Sequence, residues 1–245
     1  MKCIICNSEM SYYFSKIFNE FNLKEVDYWK CKKCGFVMSK THADMTYSER
    51  NLLNRDFHLT YQGKETNPLD INWTIRLQNQ VKVLVDLFPI LKGRWIDYGC
   101  GDGKLSAYLK SKGLNLLNYD RYLSNQNYLK DSDLIPRSFD LVITTSVFEH
   151  LLERKELDFI ESLTNRVFGL HTLVCENIPQ DPSWFYLNPV HCSFYTNKSM
   201  EILFNQWGYF SSIYNVDARL WLWFKDQINI KTKLDYISGN KFIDY

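Results

Sequence analysis

The chain has 245 residues, of which 45% are hydrophobic and 16% aromatic, which suffices for a buried core and argues against intrinsic disorder. Its 29 basic and 28 acidic residues leave a formal net charge of +1, without the basic excess that duplex nucleic-acid binders use against phosphates. No apolar run approaches the roughly 20 residues that cross a bilayer, and the first residues are too polar for a signal peptide. We therefore expect a cytoplasmic protein that acts on a small molecule or a saccharide, with no membrane span and no nucleic-acid partner.

The first segment, residues 1–40, carries two C-x-x-C pairs, Cys3 with Cys6 and Cys31 with Cys34, separated by 24 residues. Zinc prefers four thiolates in a tetrahedron, and each C-x-x-C turn presents two sulfurs to one point. A segment of this length cannot build its own core, so metal binding would supply its folding energy. The spacing predicts a small zinc ribbon whose site is structural, with no open coordination position.

The rest of the chain divides into a linker with one short helix (residues 41–71), a main domain (residues 72–225) and a C-terminal tail (residues 226–245). The predicted strands of the main domain are 94–98, 114–119, 139–145, 170–175, 210–215 and 220–224, and its predicted helices are 72–88, 104–110, 153–167 and 197–207. Strands that alternate with helices predict an α/β, doubly wound, mostly parallel sheet, and the closing strand pair predicts one antiparallel edge.

The segment WIDYGCGDGKL carries most of the functional information. A strand ends near an acid, Asp97, and then Gly99, Gly101 and Gly103 alternate through the turn into a helix. Glycines let the backbone pass close to a ligand, at the edge of the sheet where such folds bind ligands. A dinucleotide site would place its last glycine at position 104, which is a lysine here, so a nicotinamide oxidoreductase is disfavoured.

The pattern D-x-G-C-G-x-G after an apolar strand resembles motif I of the class I S-adenosylmethionine (SAM)-dependent methyltransferases. The resemblance implies a Rossmann-like fold with a seven-stranded sheet, and a loop around the methionine portion of SAM with Asp97 near its ammonium group. The family places a ribose-binding acid at the end of the second strand, where Asp120 stands. Thr145, at the end of the fourth strand, is also assigned to the cofactor site.

The segment FDLVITTSVFEHL resembles the fourth strand and following loop of the same family, and the resemblance covers roughly residues 72–225. It lacks the N/D-P-P-Y pattern of enzymes that methylate amino groups of nucleic acids, which counts against base N-methylation. One departure is that only 18 residues separate Asp120 from Phe139, so a helix or a strand must be shortened or missing. Asp131 and Asp133 both stay candidates for the adenine contact.

The acceptor side is expected around the segment NPVHCSFYT, which contains His191. It resembles the H-x-x-x-[FY]-[FT] stretch of ubiquinone-biosynthesis-like methyltransferases and the E-H-L-S-Y-F segment of zinc-containing sugar C-methyltransferases. Val190 replaces the glutamate of the latter, so a paired Glu–His mechanism is not expected. His191 and His150 are the candidate general bases; the alternative is that each hydrogen-bonds or packs locally. His58, Tyr61 and residues 184–186 line a substrate pocket or belong to an aromatic core.

The leading hypothesis is an enzyme of bacterial polysaccharide biosynthesis that binds SAM and zinc. It would methylate a saccharide, a nucleotide-linked sugar or another small acceptor, at oxygen rather than carbon. A second hypothesis is a zinc-ribbon RNA-binding protein or RNA methyltransferase, and a strongly salt-dependent RNA affinity would favour it. A NAD-dependent oxidoreductase comes last. The sequence leaves the acceptor, the methylated atom and the oligomeric state open.

Overall fold

The computed structural model describes residues 1–61, 73–123, 125–225 and 239–244. The strands are β1 (Met10–Phe18), β2 (Lys24–Cys31), β3 (Val37–Ser39), β4 (Trp95–Tyr98), β5 (Leu117–Tyr119), β6 (Phe139–Thr145), β7 (Thr164–His171), β8 (Val174–Cys175), β9 (Ser193–Thr196), β10 (Ser211–Asn215), β11 (Leu220–Phe224) and β12 (Asn240–Asp244). The helices are α1 (Lys40–Asp44), α2 (Tyr47–Tyr61), α3 (Trp73–Leu87), α4 (Lys104–Ser111), α5 (Arg154–Ser162) and α6 (Asn197–Gln206). No helix within these described ranges is long and apolar enough to cross a membrane.

Two compact units divide the chain, and each has its own sheet. The first unit takes the described residues of Met1–Ile71, Phe148–Glu156 and Leu173–Phe204, and it contains a five-stranded sheet in the order β1-β2-β3-β9-β8. The second takes the described residues of Asn72–Val147, Leu157–Thr172 and Asn205–Tyr245, and it contains a seven-stranded sheet. The units therefore interleave along the chain, and residues 148–156 and 173–204 group with the N-terminal segment although the sequence analysis assigned them to the main domain.

The seven-stranded sheet has the order β12-β10-β11-β7-β6-β4-β5. The strands β5, β4, β6 and β7 pair in parallel, whereas β11, β10 and β12 pair antiparallel, beginning with β11 on β7. The sheet is thus α/β with seven strands, but the prediction of a mostly parallel sheet was wrong, because it is mixed.

Two changes at the sheet edges account for this mixed character. Between Asp120 and Phe139 the described residues form only a short 3₁₀ turn, at Asp131–Asp133, so no parallel strand follows β5 there. At the other edge, part of the predicted C-terminal tail forms β12, which adds a third antiparallel strand. Residues 226–238 of that tail, and the predicted helix start at 72, lie outside the described residues.

The strands at the centre of this sheet are buried on both faces, as their composition requires. The sequence FDLVITT of β6 is nearly continuous in apolar or β-branched residues, and Leu141, Val142 and Ile143 have no exposed surface. The five residues LWLWF of β11 are all buried. The face of α3 that carries Leu77, Val81 and Leu84 packs into the same core cluster as Leu141 and Ile143. This core fixes β4 and β6, whose carboxyl ends carry the predicted cofactor residues.

The five-stranded sheet is built from parts of the chain that lie far apart in sequence. The hairpin β1–β2 occupies the 24 residues between the two C-x-x-C pairs, β3 pairs with β2, and β9 then pairs with β3. Phe14, Val26 and Tyr28 of the hairpin share a core cluster with Ile178 and Phe194. The predicted boundary at residue 40 is therefore not an edge of this sheet, because a segment of 40 residues buries its apolar side chains only with help from later residues.

The predicted linker contributes to the same unit. Its described part forms two helices, α1 and α2, instead of one short helix. Leu53 and Phe57 of α2 are buried in the core cluster of the five-stranded sheet. Residues 62–71 of the predicted linker lie outside the described residues.

Candidate functional site

The loop after β4 turns through Gly99 and Gly101, whose φ angles of +76° and +56° are rarely adopted by residues with side chains. The backbone N–H groups of Gly99 and Cys100 both donate to the carbonyl oxygen of Tyr119, over 2.8 and 3.1 Å. A Cβ on Gly99 would lie 2.5 Å from Cγ2 of Val147, whereas no described atom lies within 4 Å of a Cβ built on Gly101. The loop is closed on one side and open at Gly101, where a ligand can approach the backbone.

The carboxyl group of Asp97 lies in β4 immediately before this loop. Asp97 is 2% exposed, and its Oδ1 atom has no hydrogen-bond partner among the described residues. Burial, and secondarily the charge of Asp120, raises the pKa of the Asp97 carboxyl to about 7. An ammonium group against Oδ1 would supply both the missing hydrogen bond and the missing counter-charge. The amino-acid end of SAM carries such a group, so the residues present fit this cofactor.

Asp120 follows β5 and holds the loop through backbone hydrogen bonds. Its Oδ2 accepts from the N–H of Gly101 over 2.9 Å, and its Oδ1 accepts from the N–H groups of Tyr122 and Leu123 over 2.8 and 2.9 Å. A carboxylate offers about four acceptor positions, and three are used here. Asp120 therefore holds the loop through three backbone hydrogen bonds, and its predicted contact with the ribose hydroxyls stays a prediction.

The two candidate adenine acids differ in their partners. Asp131 accepts a hydrogen bond from the Tyr119 hydroxyl over 2.8 Å, whereas Asp133 accepts from the backbone N–H of Lys130 over 2.8 Å. From the same stretch, the hydroxyl of Tyr128 donates to the carbonyl oxygen of Gly101 over 2.9 Å. The sequence analysis missed this tyrosine, because nothing in the motif indicates which residue of the short stretch reaches the loop.

Gly103 and Thr145 complete the predicted cofactor residues. Gly103 precedes α4 with a φ of +72°, and a Cβ there would lie 2.9 Å from both Asn118 Nδ2 and the Tyr128 hydroxyl. Thr145 is the last residue of β6, and its buried Oγ1 has no described hydrogen-bond partner. Like Oδ1 of Asp97, this oxygen can bind a polar ligand group without losing an existing partner.

The four cysteines of the C-x-x-C pairs come together in the first unit, with all four sulfurs within 4.8 Å of one another. Sγ of Cys3 lies 3.6 Å from Sγ of Cys34, and Sγ of Cys6 lies 3.4 Å from Sγ of Cys31. Zn–S bonds of about 2.3 Å in a tetrahedron place neighbouring sulfurs about 3.8 Å apart, so this donor set fits zinc. The hydrogen bond between Cys3 and Cys34 lowers the pKa of the Cys3 thiol and raises that of the Cys34 thiol, so without a metal the two sulfurs share one proton.

The two candidate bases also come together, in the first unit. The ring centroids of His150 and His191 are 5.0 Å apart. Nδ1 of His150 lies 3.0 Å from the carbonyl oxygen of Val190, and Nδ1 of His191 lies 2.9 Å from that of Tyr186. Because a carbonyl oxygen only accepts, each Nδ1 carries the proton and each Nε2 keeps its lone pair.

Glu149 is the third member of this cluster, and the sequence analysis missed it. One donor atom from each of Glu149, His150 and His191 lies within 4.8 Å of the others. Glu149 is 1% exposed and its Oε1 accepts a hydrogen bond from the Tyr186 hydroxyl over 2.7 Å. The carboxylate that Val190 cannot supply is therefore supplied from another segment. The dipeptide Glu149-His150 was the available signal, since it stands beside a histidine already considered a base.

Burial sets the protonation of the two histidines. Loss of solvation lowers the pKa of His191 to about 4, and the same loss, together with the nearby charge of His191, lowers the pKa of His150 to about 3. Both imidazoles are therefore neutral at pH 7. Neutral imidazoles are competent as metal ligands, but with these pKa values they are weak proton acceptors.

Comparison with known proteins gives one family and a distant structural likeness. A family model described as a methyltransferase domain matches residues 75–210, which is more than half of the chain. No curated protein matches the sequence.

Among solved structures, magnesium protoporphyrin IX methyltransferase (ChlM) from Synechocystis PCC 6803 with bound SAM is 14% identical. The match covers 72% of this chain and 97% of that one, with a TM-score of 0.46. The same enzyme with bound SAH is 15% identical over 71% and 94% of the two chains, with a TM-score of 0.45. These values are too low to transfer that enzyme's acceptor. The family match stands by itself: the chain belongs to this methyltransferase-domain family and is a SAM-dependent methyltransferase.

Proposed function

We propose that this enzyme transfers the methyl group of SAM to a hydroxyl group of a saccharide, a nucleotide-linked sugar or another small acceptor. The observation that carries the cofactor assignment is a loop with open backbone at Gly101 directly after a strand that bears the buried, unpartnered Oδ1 of Asp97. A ligand with an ammonium group and a long organic substituent would fit this combination. Its ammonium group would pair with the buried acid, and its substituent would lie along the open loop.

The cofactor residues act by holding and orienting. Asp97 would pair with the ammonium group, Gly101 would give the ligand access to the backbone, and Thr145 would donate or accept one further hydrogen bond. Asp120 would act mainly on the loop, through its bond to the N–H of Gly101. We assign the adenine contact to Asp131 or Asp133, and the choice stays open.

Bound SAM supplies an activated methyl group on a sulfonium. In the reaction the acceptor oxygen forms a bond to the methyl carbon, the carbon–sulfur bond breaks with its electron pair going to sulfur, and the acceptor loses its proton. Alignment of the two partners accounts for much of the rate enhancement in such a displacement. The base role of His191, with His150 as the alternative, stays a prediction. With pKa values of about 4 and about 3, these imidazoles favour proton acceptance only when the substrate hydroxyl is itself made more acidic.

Support for a saccharide acceptor comes from charge and aromatic surface. The net charge of +1 gives no general attraction for a polyanion. In the first unit, Phe185 is 61% exposed and its ring packs edge-on against those of Trp184 and Tyr186. An exposed aromatic ring on a rigid aromatic base is a suitable surface for the apolar face of a sugar ring.

We also propose that the four clustered cysteines hold one structural zinc ion. Four thiolates close the coordination sphere, so the ion would stabilise the fold without taking part in methyl transfer. The sulfur positions in the first unit support this assignment.

The test is release of S-adenosylhomocysteine from SAM with a panel of nucleotide sugars, glycans, quinol precursors and RNA. We expect release with a saccharide or nucleotide-sugar acceptor and none with RNA, and Asp97→Asn should lower release at limiting SAM by about 10- to 100-fold. Asp86→Asn is the matched control, because Asp86 is exposed on α3 of the same unit and lies outside the loop. Release with RNA alone would overturn the acceptor class, and unchanged SAM binding by the Asp97 variant would overturn the cofactor site.

A further inference from the structure

The cluster of Glu149, His150 and His191 has the composition of a metal site with an open position. It contains two imidazoles and one carboxylate, with one donor atom of each within 4.8 Å of the others. A third imidazole lies nearby, since the ring centroid of His58 is 5.4 Å from that of His150. This group shares no residue with the four-cysteine group.

The surrounding hydrogen bonds orient the ligands as they do in metal proteins. Ligating histidines usually donate their second ring N–H to a carbonyl or carboxylate, which fixes the tautomer and turns the other nitrogen to the ion. His150 and His191 both make this bond, to the carbonyl oxygens of Val190 and Tyr186. The hydroxyl of Tyr186 holds Glu149 in turn. Tyr186 therefore positions two of the three donors through two different atoms.

The backbone of the cluster is also fixed without a metal. Oδ1 of the buried Asn188 accepts from the N–H groups of Val190 and His191, over 3.0 and 2.8 Å. The N–H of Cys192 donates to the carbonyl oxygen of Glu149 over 2.8 Å, which ties the two ligand-bearing segments together. The donor atoms are thus brought together by bonds that do not depend on an ion, and an ion would bind to a site that already exists.

We propose that Glu149, His150 and His191 bind one divalent transition-metal ion of the zinc class, with water in the remaining coordination position. Two imidazoles and a carboxylate suit zinc, and three protein ligands leave a place for an exchangeable oxygen ligand.

Metal binding at this site does not rest on the proposed function. A hydroxyl oxygen that took the open position would lose its proton more readily, because a bound cation lowers the pKa of its ligands. Any part of this site in methyl transfer rests on the proposed function.

The test counts zinc bound to the full chain after incubation with Zn²⁺ alone and gel filtration, without SAM or acceptor. Wild type should retain two ions per chain, and His191→Ala should retain one. Glu149→Gln should also lose the second ion or bind it at least about tenfold more weakly. Replacing a residue that only supports a ligand typically lowers metal affinity by about 10- to 100-fold, and replacing a ligand itself should lower it further. His171→Ala is the matched control, because His171 belongs to the second unit.

Cobalt identifies which site is affected. With Co²⁺ in place of zinc, the thiolate charge-transfer band should be unchanged in Glu149→Gln, while the weaker ligand-field bands of the second ion should disappear. The Gln variant keeps an acceptor for the Tyr186 hydroxyl, and circular dichroism checks that it folds. A wild-type ratio of one ion whose cobalt spectrum is unchanged in folded Glu149→Gln, or a ratio of two that survives in that variant, would overturn the proposal. Because no methyl transfer is measured, either result leaves the proposed function to its own test.

Discussion

The two units prepare their polar groups for ligands in different ways. In the unit with the seven-stranded sheet, Oδ1 of Asp97 and Oγ1 of Thr145 are buried without described partners. In the unit with the five-stranded sheet, the donor-bearing residues His150 and His191 are each anchored through Nδ1 to a backbone carbonyl. At the proposed cofactor site a ligand would supply a missing partner, whereas at the proposed metal site an ion would complete a set that is already oriented.

This difference has an energetic consequence. An unpartnered buried acid destabilises the unliganded protein, and ligand binding relieves that cost. A pre-oriented set of thiolates or imidazoles adds stability when an ion binds, since a metal that binds only the folded state raises the free energy of unfolding. Substitutions at the two kinds of site should therefore change stability in opposite directions.

The largest effect should come from Cys31→Ser with Cys34→Ser. The double variant should lose the structural zinc and with it a metal-linked folding free energy on the order of 10 kcal/mol, the scale found for zinc-dependent folds. Metal content and thermal unfolding measure this. Cys175→Ser is the control, because Cys175 lies in the same unit but outside the four-sulfur group. If the metal-free double variant had the same unfolding temperature as wild type, metal binding would not stabilise the first unit, and the proposed difference between the two units would be wrong.

A smaller effect of opposite sign on stability should come from Asp97→Asn. SAM affinity should fall by about 10- to 100-fold, since a hydrogen bond to a charged group contributes about 1.5–3 kcal/mol. Without SAM, the same variant should be more stable than wild type at pH 8, because it removes a buried carboxylate that lacks a described partner at Oδ1. Calorimetric titration and chemical unfolding measure the two changes. A variant that loses stability as well as affinity would contradict the comparison.

The pH dependence of wild type sharpens this prediction. The pKa of Asp97 is raised by burial from 3.8 to about 7 in the unliganded fold, so between about pH 4 and pH 7 the folded state keeps a proton that the unfolded state has lost. Stability of the unliganded protein should therefore decrease as pH rises through this window. SAM affinity should instead increase up to about pH 7 and then level off, because ammonium binding needs the carboxylate. Asp97→Asn should flatten both curves.

The smallest effect should come from Gly99→Ala compared with Gly101→Ala. Both glycines have positive φ, which costs a side-chain-bearing residue about 1–2 kcal/mol. Only Gly99 adds a clash, with Cγ2 of Val147, so its variant should be the less stable. Gly101→Ala should mainly weaken SAM binding, because its new methyl group would occupy the open side of the loop. Unfolding midpoints and SAM titration separate the two, and equal loss of stability would contradict the described loop geometry.

The strand β4 and the glycine loop after it were predictable because their residues are contiguous, whereas the assignment of this loop to the cofactor stays a prediction. Asp97, Gly99 and Gly101 lie within five positions, where turn chemistry is visible in the sequence. The strand β6 has the predicted bounds, because its apolar pattern is local. The 18-residue spacing after Asp120 also indicated the reduced sheet edge that the described residues show. The spacing did not indicate β12. Neither β10 nor β12 has a local sequence pattern that predicts their pairing.

The five-stranded sheet and the Glu–His cluster were not predictable by the same reasoning. The four residues of β9 are too few to show a period, and their pairing with β3 depends on distant parts of the chain. Glu149 meets His191 only because Asn188 shapes the turn before the histidine and Cys192 bonds back to the glutamate. Such contacts follow from tertiary packing, which a single sequence does not display.

The pairing of β3 with β9 has a consequence for the order of events during synthesis. About 150 residues separate Ser39 at the end of β3 from Ser193 at the start of β9, so ribosomes need on the order of ten seconds to deliver the second strand after the first. Throughout that interval the edge of β3 is uncovered, which exposes the nascent chain to wrong strand partners. All four clustered cysteines are translated before the delay begins. If the four cysteines bind zinc as proposed, an ion captured there would close the β1–β2 hairpin early, and cellular zinc supply would then influence folding yield.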